Sequence, residues 1–233
     1  MTQGYVFKTF ENKSALQQAS ADWIASKLAD AIARRGSAVF MGSGGRTPGP
    51  IYETLSNAEI DWARVHIGLC DERWVDVSHE ASNGAMMERT LLQNNAKMAT
   101  YTPMKIAGAD PFAAIEEVNE LYQEAGLTDV MLLGMGPDAH TLSWFAGGHG
   151  YEAAIDPDST SVVTALEAIQ SEVTGPNLLR MTLTQPCVAY ARDVLLLITG
   201  ADKRSVFETA GPDSPVSIMR RAAGQALTVY YCD

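Results

Sequence analysis

Four short segments that are rich in glycine or in charged side chains each follow an apolar run, and they hold residue types suited to anion binding and acid–base chemistry. They are Gly42–Pro48 (GSGGRTP), Asp71–Val75 (DERWV), Gly134–His140 (GMGPDAH) and Thr199–Lys203 (TGADK). Glycines let backbone N–H groups turn towards an anion, and the N-terminus of a following helix adds a partial positive charge. The first segment therefore indicates either an anion-binding loop or a tight strand-to-helix turn that needs small residues. It lacks the GxxxxGK(S/T) spacing of a Walker A loop.

His140 is the strongest candidate for a general base. It follows a flexible turn directly after an apolar run, and a histidine with its ordinary pKa of ~6.5 can accept a proton at neutral pH. The other three histidines are placed less favourably, inside a predicted strand or in loops without a helix start: His66, His79 and His149. GMGPDAH also fits the GxGxxA dinucleotide fingerprint, but the helix after it would be too short and Asp138 would repel a pyrophosphate. A nucleotide-dependent oxidoreductase is therefore not favoured.

Charged residues in the other segments could supply the remaining groups. Arg73 could hold a phosphate or a developing oxyanion and Asp71 could orient a base or a hydroxyl, although a solvated ion-pair cluster is the common alternative. Lys203 lies at the start of a predicted helix, either as a surface lysine or as a phosphate ligand. Arg180 lies in a segment apolar enough to be buried, where an arginine normally needs an anionic partner. Two or three of these cations in one pocket would bind a small anion.

The composition is globular and the net charge is acidic. The chain has 233 residues and a mass of 25.1 kDa, which fits one large domain. With 17 Lys and Arg against 28 Asp and Glu, the net charge is −11. Nucleic acids and anionic membranes would repel such a chain, so we expect neither as a partner. We expect instead a monomer or homodimer that acts on a small molecule.

The cysteines and the apolar runs indicate a cytoplasmic protein. Cys70, Cys187 and Cys232 are far apart and lack the spacing of a metal site, which is typical of a reducing compartment. The first residues show no signal-peptide pattern, and the longest apolar runs are too short to span a bilayer. We therefore expect a cytoplasmic location and no bound metal.

The elements that must position these groups alternate between helical and strand patterns. Helices are predicted at Ser14–Arg35, from Pro48 through Leu55, and at Ser82–Gln93, Asp110–Ala125, Lys203–Ala210 and Pro215–Ala223; strands are predicted at Ser37–Met41, Val65–Cys70, Asp129–Met135, Asp193–Thr199 and Leu227–Tyr231. This alternation predicts an α/β fold in a single domain over 1–233, with a mostly parallel sheet and helices on both faces. In such a sheet ligands bind beyond the carboxyl ends of the strands, so the four segments should share one edge. Ala146–Ser161, rich in Gly, Asp and Pro, is predicted to be a loop or lid.

Five motifs, taken in order, resemble the 6-phosphogluconolactonase family, which belongs to the glucosamine-6-phosphate isomerase/lactonase superfamily. The matching segments are Ser43–Pro48, Asp71–Val75 with the later Ser82-Asn83, Gly134–Gly147, Leu178–Thr184 and Thr199–Lys203. Two departures stand out. Ala139 replaces the usual glycine, and Trp144-Phe145-Ala146 replaces the usual Leu-Phe-Pro. The alanine costs little unless its turn requires a positive φ, where the cost would be about 1 kcal/mol or more.

The resemblance implies a modified Rossmann arrangement like the glucosamine-6-phosphate isomerase fold, and an activity. That activity is hydrolysis of 6-phospho-D-glucono-1,5-lactone to 6-phosphogluconate in the oxidative pentose phosphate pathway, without a metal or other cofactor. His140 would be the general base, Arg73 would lie near the reacting sugar, and Asp138 would support the turn or orient His140. The substrate- and phosphate-binding residues would be Ser43, Gly44, Gly45, Thr47, Asp71, Arg180 and Lys203.

Two alternatives remain at this point. The related glucosamine-6-phosphate deaminases/isomerases resemble one another in having DEY where this chain has Asp71–Arg73, and Asn-Glu-Pro-Gly where it has Trp144–Gly147. Both differences favour the lactonase. A non-catalytic sugar-phosphate sensor would keep the pocket and lose the base, and the presence of His140 argues against it.

Overall fold

The structure, a computed structural model, describes residues 4–233 and contains two β-sheets flanked by helices. The strands are Val6–Thr9 (β1), Ala38–Gly42 (β2), Val65–Leu69 (β3), Asp71–Arg73 (β4), Thr100–Tyr101 (β5), Val130–Gly134 (β6), Val163–Glu167 (β7), Leu179–Leu183 (β8), Asp193–Thr199 (β9) and Leu227–Cys232 (β10). The helices are Lys13–Arg35 (α1), Pro48–Leu55 (α2), Asn83–Thr90 (α3), Ile115–Ala125 (α4), Tyr151–Ile155 (α5), Gln185–Tyr190 (α6), Ala201–Thr209 (α7) and Pro215–Ala223 (α8).

The larger sheet is parallel throughout, with the strand order β1-β10-β9-β6-β2-β3-β5. Its inner strands are covered on both faces, which is why they read in the sequence as continuous apolar runs. Phe40, Leu132 and Leu196 from three neighbouring strands are fully buried in the core. The predicted α/β fold with a mostly parallel sheet is confirmed.

The chain reverses its direction of travel across this sheet between β2 and β6. From β2 it proceeds outwards through β3 to β5, and from β6 it proceeds the other way through β9 to β10. Loops that leave the carboxyl ends of neighbouring strands diverge at such a reversal and leave a crevice. The four chemistry-bearing segments follow β9, β6, β2 and β3, which are consecutive in the sheet, so the prediction that they share one edge is confirmed.

Helix α1 forms where the sequence predicts it, because its ends carry strong capping signals. The side chain of Asn12 accepts a hydrogen bond from the Ala15 N–H at 2.9 Å, and Gly36 ends the helix with φ = 83°. The helix predicted from Asp110 begins later than expected. Asp110 accepts from the Phe112 N–H, a short 3₁₀ turn follows, and α4 starts only at Ile115.

The smaller sheet was not predicted from the sequence. It is antiparallel with the order β4-β8-β7, and it places Arg73 opposite Arg180. Asp71–Arg73 therefore forms a strand of its own, which the sequence analysis did not predict. A single residue, Cys70, joins β3 to β4: its N–H donates to the Gly42 carbonyl and its carbonyl accepts from the Leu183 N–H, both at 2.9 Å.

Turns and irregular backbone make up most of the segment 146–161, as predicted for a loop. It contains α5, and His149 exchanges two backbone hydrogen bonds with Glu167 at the end of β7. None of its residues lines the cleft described below. The glycines and prolines of this loop therefore mark turns in a segment that is anchored to β7.

Two kinds of feature are absent from residues 4–233. No helix there has the length and hydropathy needed to cross a bilayer. Nor does that range contain a group of three or more His, Cys, Asp or Glu side chains arranged to hold a metal ion.

Candidate active site

A cleft of about 930 Å³ opens at the carboxyl edge of the larger sheet, at the point where the strand order reverses. Its volume suits a small molecule. Residues from all four sequence segments line it, together with residues of α3, β8 and the loop before β8. Of the predicted site residues, Ser43, Gly44, Gly45, Thr47, Asp71, Arg73, His140, Arg180 and Lys203 lie in this lining, and Asp138 lies directly behind His140.

The cleft is lined mainly by positive charge. Its basic residues are Arg46, Arg73, Arg89, Arg180 and Lys203, and its acids are Asp71 and Glu80. None of the five cations forms a salt bridge within residues 4–233, whereas several basic residues elsewhere do. In a protein of net charge −11, such a set of unpaired cations attracts a small anion.

Two of these cations, Arg46 and Arg89, were not singled out from the sequence. Arg46 lies inside the GSGGRTP segment, so its position after two glycines was a usable signal. Arg89 is near the end of α3 and reaches the cleft only through the packing of that helix. Nothing in the sequence around Arg89 distinguishes it from a surface arginine.

The loop between β2 and α2 is held open by its neighbours. The Tyr52 hydroxyl donates to the Ser43 carbonyl at 2.8 Å. A Cβ at Gly44 would lie 1.8 Å from Oδ1 of Asn83, so glycine is required for that side chain to approach the loop. The Ser43 hydroxyl is buried in the cleft wall and has no hydrogen-bond partner within residues 4–233. This oxygen has almost no accessible surface, so Ser43 lines the cleft with its other atoms.

His140 and Asp138 form a hydrogen-bonded pair at the cleft. Nδ1 of His140 lies 2.5 Å from Oδ1 of Asp138, and the ring packs on Phe145 with centroids 4.3 Å apart. Burial alone would raise the pKa of the Asp138 carboxyl, but its hydrogen bond to His140 and the charge of that ring lower the pKa overall. Nε2 of His140 has no partner within residues 4–233 and belongs to a side chain that lines the cleft. The pair has the arrangement of a base and the group that orients it.

The turn that carries His140 is conformationally strained. Ala139 and Leu142 have φ = 66° and 51°, and a left-handed conformation costs a non-glycine residue roughly 1–2 kcal/mol. The Thr141 hydroxyl donates to the Gly134 carbonyl at 2.8 Å, and the Gly136 N–H donates to the His140 carbonyl at 2.9 Å. An alanine in place of glycine at position 139 is destabilising because φ is positive there. Burial of its methyl group offsets about 0.8 kcal/mol of this cost.

Arg73 and Arg180 lie side by side across the smaller sheet. Arg73 donates to the Ala81 carbonyl at 2.8 Å, and its buried Nε has no partner within residues 4–233. Arg180 has no carboxylate partner within residues 4–233, and its guanidinium donates to the carbonyls of Thr174 and Asn177 at 2.9 and 2.8 Å. Burial and the neighbouring Arg73 charge lower the pKa of Arg180 to about 10, against an opposing effect of the nearby acids. Carbonyls satisfy the donors but leave the charge available to a ligand.

Lys203 comes from the start of α7, on the opposite side of the His140 turn. Its ammonium group donates to the Met135 carbonyl at 2.7 Å. Burial and the nearby Arg46 charge lower its pKa, and Asp138 acts in the opposite direction. An anion placed beside Arg46 and Lys203 would relieve their mutual repulsion.

The acids of β4 are both held by uncharged donors. Asp71 accepts from the Ser143 hydroxyl at 2.6 Å, and its other oxygen lies 3.5 Å from Nδ2 of Asn83. Glu72 accepts from the backbone N–H groups of Arg73, Asn83 and Gly84 and from the Ser82 hydroxyl, so it anchors the start of α3 and does not line the cleft. Burial raises the pKa of Glu72 against the effect of these hydrogen bonds. Sequence analysis did not identify Ser143, because a serine in an apolar segment carries no signal of its partner.

Comparison with known proteins places this arrangement among its relatives. The profile of the family described as glucosamine-6-phosphate isomerases/6-phosphogluconolactonase matches residues 11–228. A 6-phosphogluconolactonase from Rhizobium meliloti (strain 1021) is 37% identical over 229 residues, which are 95% of this chain and 96% of the relative. The crystal structure of a 6-phosphogluconolactonase from Shewanella baltica OS155 superposes with a TM-score of 0.90 at 32% identity and covers 98% of both chains. That of a putative 6-phosphogluconolactonase from Neisseria gonorrhoeae FA 1090 gives 0.87 at 31% identity, over 98% of this chain and 100% of the other.

Proposed function

Because the chain belongs to the glucosamine-6-phosphate isomerase/6-phosphogluconolactonase family, we propose that its cleft hydrolyses 6-phospho-D-glucono-1,5-lactone to 6-phospho-D-gluconate. The substrate is a phosphate ester that carries an activated internal ester, so the enzyme must bind a dianion and deliver water to a carbonyl carbon. In the cell this reaction would serve the oxidative pentose phosphate pathway.

One observation carries the proposal: the His140–Asp138 pair lies in a cleft whose five cations have no carboxylate partner within residues 4–233. The pair can activate water, and the cations can bind phosphate and stabilise negative charge that develops on the lactone. A lactone is reactive enough that a water molecule and one base suffice. No serine or cysteine nucleophile is required.

In the proposed mechanism His140 acts through Nε2. This nitrogen takes a proton from water as the water oxygen attacks the lactone carbonyl carbon, and Asp138 stabilises the imidazolium through Nδ1. The negative charge passes to the carbonyl oxygen, where Arg73 and Arg180 can stabilise it. When the ring C–O bond breaks, the imidazolium returns the proton to the leaving oxygen. The products are a hydroxyl group and a carboxylic acid, His140 is again neutral, and the acid then releases its proton to the solvent and becomes a carboxylate.

The phosphate is assigned to the other side of the His140 turn. Arg46 and Lys203 supply the charge there, and Ser43, Gly44, Gly45 and Thr47 supply hydroxyl and backbone donors beside the N-terminus of α2. Removal of a positioned base typically costs ~10²–10⁴ in rate, and loss of an oxyanion donor costs ~10²–10³. These ranges set the scale for the experiments.

The alternatives have less support. The relatives compared above are named 6-phosphogluconolactonases, and this chain has arginine at Arg73 where the deaminases resemble one another in having tyrosine. A non-catalytic sensor would have no use for a base held 2.5 Å from an orienting carboxylate.

The test is proton release on addition of fresh lactone, with spontaneous hydrolysis subtracted, by the wild-type protein and by His140→Ala. We expect turnover well above background that falls at least ~100-fold in the variant. His66→Ala is the matched control, because His66 lies in β3 and does not line the cleft. Unchanged turnover in His140→Ala would move the base to another residue. No turnover by the wild-type protein would refute the lactonase, and glucosamine-6-phosphate would be tested next.

The remaining expectations stay part of the proposal. We propose a single domain over 1–233, supported by the hydrophobic core that runs through both sheets in residues 4–233. A cytoplasmic location is supported by the three cysteines, none of which forms a disulfide within residues 4–233. The acidic net charge disfavours nucleic acid and membrane partners, and a monomer or homodimer is expected.

A further inference from the structure

The acids of β4 and the arginines beside them remain unpaired with each other, although they are close neighbours. Asp71 and Arg73 lie on one short strand, and Arg180 lies opposite Arg73 on β8. The Asp71 charge is near enough to raise the pKa of Arg180 against the effects of burial and Arg73. Yet neither arginine forms a salt bridge with any carboxylate in residues 4–233. A buried arginine normally pairs with such an acid, so something must prevent it.

The restraint on Asp71 comes mainly from Ser143. Its hydroxyl, fully buried, donates to Oδ2 of Asp71 at 2.6 Å, a short bond to a charged acceptor. The Ser143 N–H in turn donates to the Thr182 hydroxyl at 3.3 Å, which ties the serine to β8. Oδ1 of Asp71 has only the longer contact of 3.5 Å to Asn83.

We infer that Ser143 is a positioning residue that holds the Asp71 carboxylate away from Arg73 and Arg180, so that both guanidinium groups stay free for the anionic groups of a ligand. Ser143 does not itself line the cleft and contacts no substrate. It acts through Asp71. Because Ser143 lies three residues after His140, the same bond also fixes the base-bearing turn against the strand that carries Arg73.

This inference rests on the proposed function only for the choice of ligand. The probe is 6-phosphogluconate, which carries a phosphate and a carboxylate and needs no turnover to be measured. Its affinity is determined by titration calorimetry for the wild-type protein, Ser143→Ala, Asp71→Asn and the double variant. If the released carboxylate of Ser143→Ala pairs with the arginines, affinity should fall by about tenfold, as expected when an anion must displace a paired carboxylate.

The double variant separates positioning from a general loss of structure. The amide introduced by Asp71→Asn carries no charge to neutralise the arginines, so adding Ser143→Ala to Asp71→Asn should change the affinity less than about threefold. Ser20→Ala is the matched control: it also removes a fully buried serine hydroxyl, but one that donates to the Leu16 carbonyl within α1. Its affinity for 6-phosphogluconate should equal that of the wild-type protein.

Three results would overturn the inference. They are an unchanged affinity in Ser143→Ala, an equal loss in the wild-type and Asp71→Asn backgrounds, and failure of the wild-type protein to bind 6-phosphogluconate. If Ser143→Ala does not fold, Ser143→Cys replaces it, because cysteine is similar in size and is a weaker hydrogen-bond donor. We then expect a smaller loss of affinity for 6-phosphogluconate, and we expect this loss to disappear in the Asp71→Asn background. If the protein binds 6-phosphogluconate tightly and the effects of Ser143→Ala and Asp71→Asn on affinity are non-additive, but no lactone is hydrolysed, the proposed function is refuted and this role of Ser143 is supported.

Discussion

Adding one methyl group at Gly136 tests whether the position of His140 limits the reaction. An ideal Cβ at this residue would lie 2.2 Å from both Nδ1 and Cε1 of the His140 ring and 2.5 Å from Oδ1 of Asp138. Ordinary van der Waals contact begins at 3.4 Å, so the ring must retreat by about 1.2 Å. A displacement near 1 Å of a catalytic group typically costs ~100-fold in rate, or roughly 2.7 kcal/mol of transition-state stabilisation.

The backbone of Gly136→Ala should survive, because the atoms in the way belong to two side chains at the cleft and not to the core. We therefore expect kcat for lactone hydrolysis to fall about 100-fold while the melting temperature changes by no more than a few degrees. Proton release at saturating lactone gives kcat, and thermal unfolding by circular dichroism gives the second quantity. Gly211→Ala is the control, because its Cβ would meet nothing within 4 Å and the residue lies outside the cleft.

A folded Gly136→Ala protein with kcat within twofold of wild type would refute this reasoning. It would mean either that His140 is not the base or that the reaction tolerates a displaced ring. A large fall in melting temperature would show instead that the turn cannot absorb the methyl group.

Three further predictions concern the charged residues. Because the folded-state pKa of Asp138 is lowered, its ionised form contributes stability that is present above its ordinary pKa and is lost as the pH falls below about 4. The free energy of unfolding, measured from pH 6 to 3, should therefore decrease less in Asp138→Asn than in the wild-type protein. Arg180→Lys keeps the charge but cannot make both bonds to the Thr174 and Asn177 carbonyls, so amide exchange in the loop before β8 should accelerate and KM should rise several-fold. Arg73→Ala should lower kcat by ~10²-fold if its guanidinium group stabilises the oxyanion, whereas a rise in KM alone would assign it to substrate binding.

The larger sheet could be predicted from the sequence because its signals are local. A continuous apolar run such as Asp193–Thr199, the caps of helix α1 and the glycine-rich segment after β2 are each formed by residues that are close together in the sequence. These signals also predicted which loops would meet, since parallel strands bring their carboxyl ends to one edge.

The smaller sheet could not be predicted, because its signals are non-local. Strand β4 has three residues, all charged, and is recognisable only from its pairing with β8 more than a hundred positions later. For the same reason the sequence did not reveal that carbonyls would satisfy Arg180 or that Ser143 would hold Asp71. Each of these partners is fixed by tertiary packing that leaves no periodic trace in the chain.

The joint at Cys70 has a consequence for the speed of the enzyme. Since this one residue hydrogen-bonds to both sheets, a swing of the wall that carries Arg73 relative to the edge that carries the glycine-rich loop would break backbone hydrogen bonds. We therefore expect a substrate to diffuse into a preformed cleft, without a hinge that closes before water attacks or reopens before the product escapes. Raising the solvent viscosity with glycerol or sucrose should therefore slow the association of substrate with the enzyme. This would lower kcat/KM and leave kcat nearly unchanged.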